Sequence, residues 1–264
     1  MSTVDLLGLL VPVSFGLLLG LEALFPAQRL PPKKGHRSLG WACLVVMALI
    51  GTFLPLLVPE AWVARFRLMD LSLISTPLGF AVGWATYTLI GYLWHRAVHA
   101  SSWLWRGFHQ LHHAPSRLDV ASATIFHPTE VVSYTIITFA TTVLLLGLSA
   151  EAGAWVGFFA AFVSFFQHAN IKTPRVLGYL VQRPEAHSLH HHVDGPAGNF
   201  SDFPLWDIIF GSFINPGDFN ERVGFRGTAG QRWGAMLLFV DVNQRGAGPG
   251  LVEDGRDLVA PQNA

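Results

Sequence analysis

The sequence predicts an all-α integral membrane protein: about four transmembrane helices, two of them paired in a helical hairpin, under a histidine-rich helical cap. Three observations carry that expectation. Of 264 residues, 51% are hydrophobic and only 13% charged, against about 25% charged in ordinary soluble domains. The apolar residues lie in long runs nearly free of charge. Eight of the twelve histidines fall into three short boxes that flank those runs.

The runs set the elements in order. They cover Leu6 to Leu21 (extending past Glu22 to Phe25), Leu39 to Pro59, Leu71 to Trp94, Val131 to Ala150, and Ala152 to Gln167. About 20 apolar residues cross a bilayer, so the first four are long enough. Only Glu151 separates the last two, which predicts a tight hairpin over 131–167. The start, Met1 to Asp5, has no basic residue and does not resemble a cleavable signal peptide. The division expected is 1–75 for the N-terminal helices and loops, 76–221 for a catalytic unit, and 222–264 for a polar, mobile tail. Gly246, Gly248 and Gly250 follow no strand and open no helix, so they give little reason to expect a bound dinucleotide.

Basic residues orient the chain. Arg29, Lys33, Lys34 and Arg37 crowd the loop after the first run, whereas Arg65 and Arg67 are offset by Glu60 and Asp70. The positive-inside rule then puts the N-terminus outside and the 27–38 loop in the cytoplasm. Counted from there, all three histidine boxes meet on the cytoplasmic side, where residues 95–130 and 169–221 form the cap, and the C-terminus is cytoplasmic too. Lys+Arg and Asp+Glu balance at 17 each, which removes any basic surface for nucleic acid. The single Cys43 lies in an apolar run, so any metal is held by nitrogen and oxygen rather than sulfur.

The boxes are His95-Arg96-Ala97-Val98-His99, His109-Gln110-Leu111-His112-His113 and His187-Ser188-Leu189-His190-His191. Neutral imidazole is the commonest metal ligand, and spacings of three and four put ligands on one helical face. Eight buried imidazoles without a metal would each need a separate hydrogen-bond partner. Eight ligands are too many for one ion and suit two. His127 and His168, where the hairpin leaves and re-enters the cap, are positioned to complete a set of ten. His36 reads as a polar residue at the membrane boundary, and His192 as a weak extension of the third box. Asn199 and Asp202 are candidates to hydrogen-bond ligating histidines and fix their tautomers.

The motifs Trp94-His95-Arg96-x-x-His99, Phe108-His109-x-x-His112-His113 and His187-x-x-His190-His191 together resemble the fatty acid hydroxylase/sterol desaturase superfamily. Leu118-Asp119-Val120, His127-Pro128-x-Glu130, His168-Ala169-Asn170, Asn199-Phe200 and Trp206-Asp207-Ile208-Ile209-Phe210-Gly211 add to the resemblance, which spans about residues 80–215. Ile125 and Ser201 stand where the family often has Arg and Gly. The resemblance implies two iron ions held by the histidines, dioxygen as co-substrate, and a lipid that is hydroxylated or desaturated. It also implies electrons from a separate transfer protein and its reductase. Two other classes compete: a zinc-dependent membrane hydrolase, which would want a carboxylate base that no box contains, and a non-enzymatic metal- or haem-binding membrane protein, for which two axial histidines suffice.

Overall fold

The computed structural model describes residues 1–220 and 222–243. Gly246, Gly248 and Gly250 lie outside the described residues. In order come α1 (Thr3–Leu24), α2 (His36–Phe53), α3 (Glu60–Phe66), α4 (Thr76–Ala100), α5 (Ser102–Leu104), α6 (Pro128–Phe139), α7 (Ala150–His168), α8 (Pro184–His190), α9 (Pro204–Ile209) and α10 (Trp233–Leu237). Among the described residues there is no strand, only two isolated bridges.

Four helical stretches are long and apolar enough to cross a membrane: Thr3–Leu24, His36–Leu57, Pro128–Leu145 and Ala150–His168. The last two are the hairpin. Between 11% and 28% of each stretch is buried inside the protein, so most of its apolar surface faces outward, as a lipid environment permits and water does not. The run expected at Leu71–Trp94 became α4, which Pro77 in its first turn delays to Thr76. It is not among the four apolar stretches, since it carries tyrosines, threonines and the first histidine box.

Close packing fixes α4 against α7. A Cβ added at Gly79 would lie 2.9 Å from Ala152 Cβ, and one at Gly83 2.8 Å from Val156. The Gly79-x-x-x-Gly83 spacing therefore sets two backbones together, as small residues do between membrane helices. Both contacts advance by four residues, so α4 and α7 run parallel and end on the same side. On the other face of α7, Phe165 meets Phe15 of α1 edge-on at 5.2 Å, and Phe15 meets Trp41 of α2 at 4.8 Å. Glu22, buried near the end of α1, accepts the backbone N–H groups of Val120 and Asn170. That carboxylate ties a membrane helix to two cap loops.

Two regions differ from the sequence expectation. His36 is not a boundary residue facing water: it is 3% exposed, and its Nε2 lies 2.8 Å from Asp119 Oδ1. Nor do residues 222–243 hang free. Phe225, Met236 and Val242 are buried against Trp105, Leu111 and Ile125, and Gln110 bonds to Val240 and Val242. Three well-spaced apolar residues were enough to dock this segment.

Candidate metal centre

Each histidine reaches the site for a local reason. His95 and His99 face one way from the last two turns of α4. A π-turn over Trp105–His109 continues α5 and ends at His109, with His112 and His113 in the turn that follows. His187 and His190 belong to α8, and His191 caps it. His168 is the last residue of α7.

The rings sort into two groups. His95, His99, His109, His113 and His190 form one; His112, His168, His187 and His191 form the other. Within each, one nitrogen per ring lies within 4.8 Å of all the others. The division follows from helical geometry. In the second box, His109 and His113 join the group of five while His112 joins the group of four. In the third, His187 and His191 join the group of four while His190 crosses over. The groups adjoin through His113 and His191, stacked at 4.1 Å.

The tautomers test whether a cation fits. His95 Nδ1 donates to the Phe200 carbonyl at 2.7 Å, His190 Nδ1 to the Gly198 carbonyl at 2.9 Å, and His168 Nδ1 to the Ser164 carbonyl at 2.7 Å. His109 Nδ1 faces Glu130 Oε1 at 2.5 Å. A carbonyl only accepts, so in neutral His95, His190 and His168 the proton is on Nδ1 and Nε2 is the nitrogen able to bind a cation. His95 Nε2 and His109 Nε2 converge to 2.8 Å. In the other group, His112 Nε2 and His187 Nε2 both lie 3.2 Å from the one lone pair of His168. Such crowding of ring nitrogens fits a cation in each group. Protonation is no remedy. Burial first, then the neighbouring imidazoles, holds His109, His112, His113, His187 and His191 well below the ordinary 6.5. Cys43, on α2, belongs to neither group, so the donor set is nitrogen throughout.

Behind the rings stands a loop, 198–200. Its two carbonyls, Gly198 and Phe200, receive His190 and His95. Asn199 between them holds a left-handed backbone, φ 60°; its side chain bonds the Ala186 carbonyl and the Ile214 N–H. Asp207 accepts from Phe200 N, Ser201 N and Ser212 Oγ. Asn199 and Asp207 therefore act on the histidines through the loop they hold. Asp202, proposed for that task from sequence, touches no histidine and accepts from Gln167. Glu130, of the His127-Pro128-x-Glu130 motif, places its carboxyl on the His109 ring.

Nine of the ten histidines expected in the site are gathered, and His127 is not. It is the N-cap of α6, where its Nδ1 accepts from Thr129 N while its Nε2 donates to the Leu237 carbonyl at 3.4 Å. Both nitrogens are thereby turned away from the groups. His192 also lies outside them, near Asp194.

Comparison with known proteins follows this geometry. The fatty acid hydroxylase family model matches residues 80–212, half of the chain. Sphinganine C4-monooxygenase 1 of Arabidopsis thaliana is 28% identical over 127 residues, covering 47% of this chain and 49% of that protein. A very-long-chain aldehyde decarbonylase of Oryza sativa subsp. indica is 27% identical over 127 residues, with 47% and 49% covered. The chain spans about half the length of the curated relatives it matches. No solved structure matches it. The matched segment runs from α4 past α9 and holds all nine gathered histidines: the chain belongs to the fatty acid hydroxylase family.

Proposed function

We propose that the chain is a membrane-bound di-iron oxygenase that hydroxylates, or desaturates, a carbon of a long aliphatic lipid. The observation that carries this reading is the pair of adjoining imidazole groups, in each of which one nitrogen per ring converges within 4.8 Å of all the others. His95, His99, His109, His113 and His190 would hold one iron, and His112, His168, His187 and His191 the other. Two irons would supply activation of dioxygen and removal of hydrogen from an unactivated carbon, with electrons from a separate transfer protein and its reductase. The names of the relatives, a C4-monooxygenase of sphinganine and a very-long-chain aldehyde decarbonylase, support a long-chain substrate.

The chain's own residues orient and enclose. The Phe200 and Gly198 carbonyls, Ser164 and Glu130 each lock one ring so that its Nε2 points inward. Phe126 stacks on His112 at 4.5 Å, and the Phe200 ring stands edge-on to His95, His99 and His190. These aromatic faces keep bulk water from the nitrogens. From the basic 27–38 loop we propose in addition that the N-terminus lies outside and the histidines and C-terminus in the cytoplasm.

Metal analysis of protein from iron-supplemented cells should give two irons per chain and no haem absorbance. Lipid extracts of a deletion strain should lack a species that differs from its precursor by one oxygen or two hydrogens. Metal-free protein that restores that species would overturn the reading. Reporter fusions after Arg37 and after His113 should report cytoplasm, and one at Arg65 the opposite side.

A further inference from the structure

We propose that the face formed by α9 and the neighbouring 175–180 turn is immersed in the acyl layer of the membrane. The histidine-bearing region is then partly sunk in the bilayer rather than standing above it. The inference rests on α7 crossing the membrane and not on the oxygenase chemistry.

Depth carries the argument. α4 and α7 run parallel in register, with Gly79 opposite Ala152 and Gly83 opposite Val156. Continued along both helices, Tyr92 is level with Phe165 and His95 with His168, the last residue of an apolar spanning stretch. α9 is fastened to α4 below that level. Trp206 Nε1 donates to Thr88 Oγ1 at 2.9 Å, and the Phe210 ring stacks on Tyr92 at 5.1 Å. Thr88 and Tyr92 precede His95 by seven and three residues, about 10 and 5 Å along the helix at 1.5 Å per residue. α9 thus lies against the flank of α4, nearer the middle of the membrane than the histidines.

The exposed surface of α9 and its C-terminal end is apolar. Ile208 is 46% exposed and Ile209 57%, Phe210 keeps 48% exposed beside its contact with Tyr92, and in the neighbouring turn Val176 is 72% and Leu180 69% exposed. A patch of this kind marks a contact with something apolar. Arg175, at the start of the turn, donates to the Asn215 carbonyl, and Lys172 just before it pairs with Asp218, so the charged groups at this edge lie on the 215–218 side of the patch. Acyl chains of one leaflet are the occupant that fits both depth and composition. A lipid methylene could then approach the histidine groups sideways, without leaving the bilayer.

The test uses the full chain in phosphatidylcholine–phosphatidylglycerol vesicles, with Cys43→Ala as background. Single cysteines are placed by Ile209→Cys and Leu180→Cys on the patch and by Asp218→Cys as an aqueous control. In permeabilised vesicles, a charged maleimide should label Asp218→Cys to completion and fail to label the other two. Nitroxides attached in detergent at 209 and 180 should, after reconstitution, collide with oxygen in preference to a water-soluble nickel chelate. Full maleimide labelling at 209 and 180 would overturn the proposal by placing the patch in water. Protection from both maleimide and oxygen would overturn it too, by showing that protein, such as a second copy of the chain, covers the patch. Neither readout depends on metal or product, so failure here is distinct from failure of the oxygenase reading.

Discussion

The group of five imidazoles and the group of four are built from the same boxes but differ in enclosure. All four rings of the smaller group are buried, and Phe126 lies flat on His112. In the larger group His99 is only half-buried, and it borders a cleft of about 550 Å³ with Arg96, Pro196 and Phe200. They differ also in what stands behind the rings. The larger group leans on Glu130 and on the 198–200 loop; the smaller leans on the end of α7 through the Ser164 carbonyl. A cleft thus borders the five and not the four among the described residues. The closed group rests on the end of one membrane helix, the open one on Glu130 of another and on a loop held by Asn199 and Asp207.

Removing one ligand from each side breaks this contrast most directly. His113→Ala and His187→Ala should each abolish product, and metal analysis should show one ion lost per chain. If either variant loses both ions, the two groups are a single site. Weakening the support gives a smaller effect. Glu130→Gln should lower metal affinity by about 10–100-fold, the usual range for partners of ligating histidines, and only in the group of five. Asn199→Ala should follow with a lesser loss on the same side. Equal loss from both groups in a metal titration would contradict the assignment of these supports.

Acid should act on both groups alike. In the chelated protein, five of the buried imidazoles resist protons that the unfolded chain takes up as pH falls through 6.5. The sign follows: stability is unaffected above 6.5 and is lost progressively below it, down to the depressed folded values. Tm of the metal-free protein in micelles should fall over that window, and metal loading should suppress the fall. A Tm that rises on acidification would contradict the burial argument. The smallest effects belong to histidines outside the groups. His36→Ala should cost about 1 kcal/mol by removing one partner of the buried Asp119, which keeps Arg117 and the Ser122 N–H. His127→Ala should cost about 1 kcal/mol as a lost N-cap. Both should keep their full metal content.

The membrane helices and the boxes were legible because each rests on a local pattern: uninterrupted apolarity for the runs, spacing of three and four for the ligands. The sharing of boxes between two groups was not, since it depends on where α4, α7 and α8 converge. His127 misled for a reason visible in hindsight. It precedes Pro128, and a residue before proline at a helix start is a capping position before it is anything else. The role of Glu130 could have been suspected from its place one turn into the same helix, where it faces the cap. The carbonyls of Gly198 and Phe200 had no sequence signature, because any residue supplies a carbonyl; only the left-handed Asn199 hinted at a shaped loop. Gly79-x-x-x-Gly83 was a signal present and unused. Residues 222–243 looked polar on average, yet docking needed only a few anchors such as Phe225 and Met236.

Glu22 sets an order of events during synthesis. α1 leaves the ribosome before the rest of its bundle, carrying a carboxylate whose partners do not yet exist. Asn170 follows 148 residues later, about 7–30 s at ordinary elongation rates of 5–20 residues per second. Throughout that interval the end of α1 must remain near water or the insertion machinery, and only then can it close against the 120 and 170 loops. α1 is made long before the contacts that complete it.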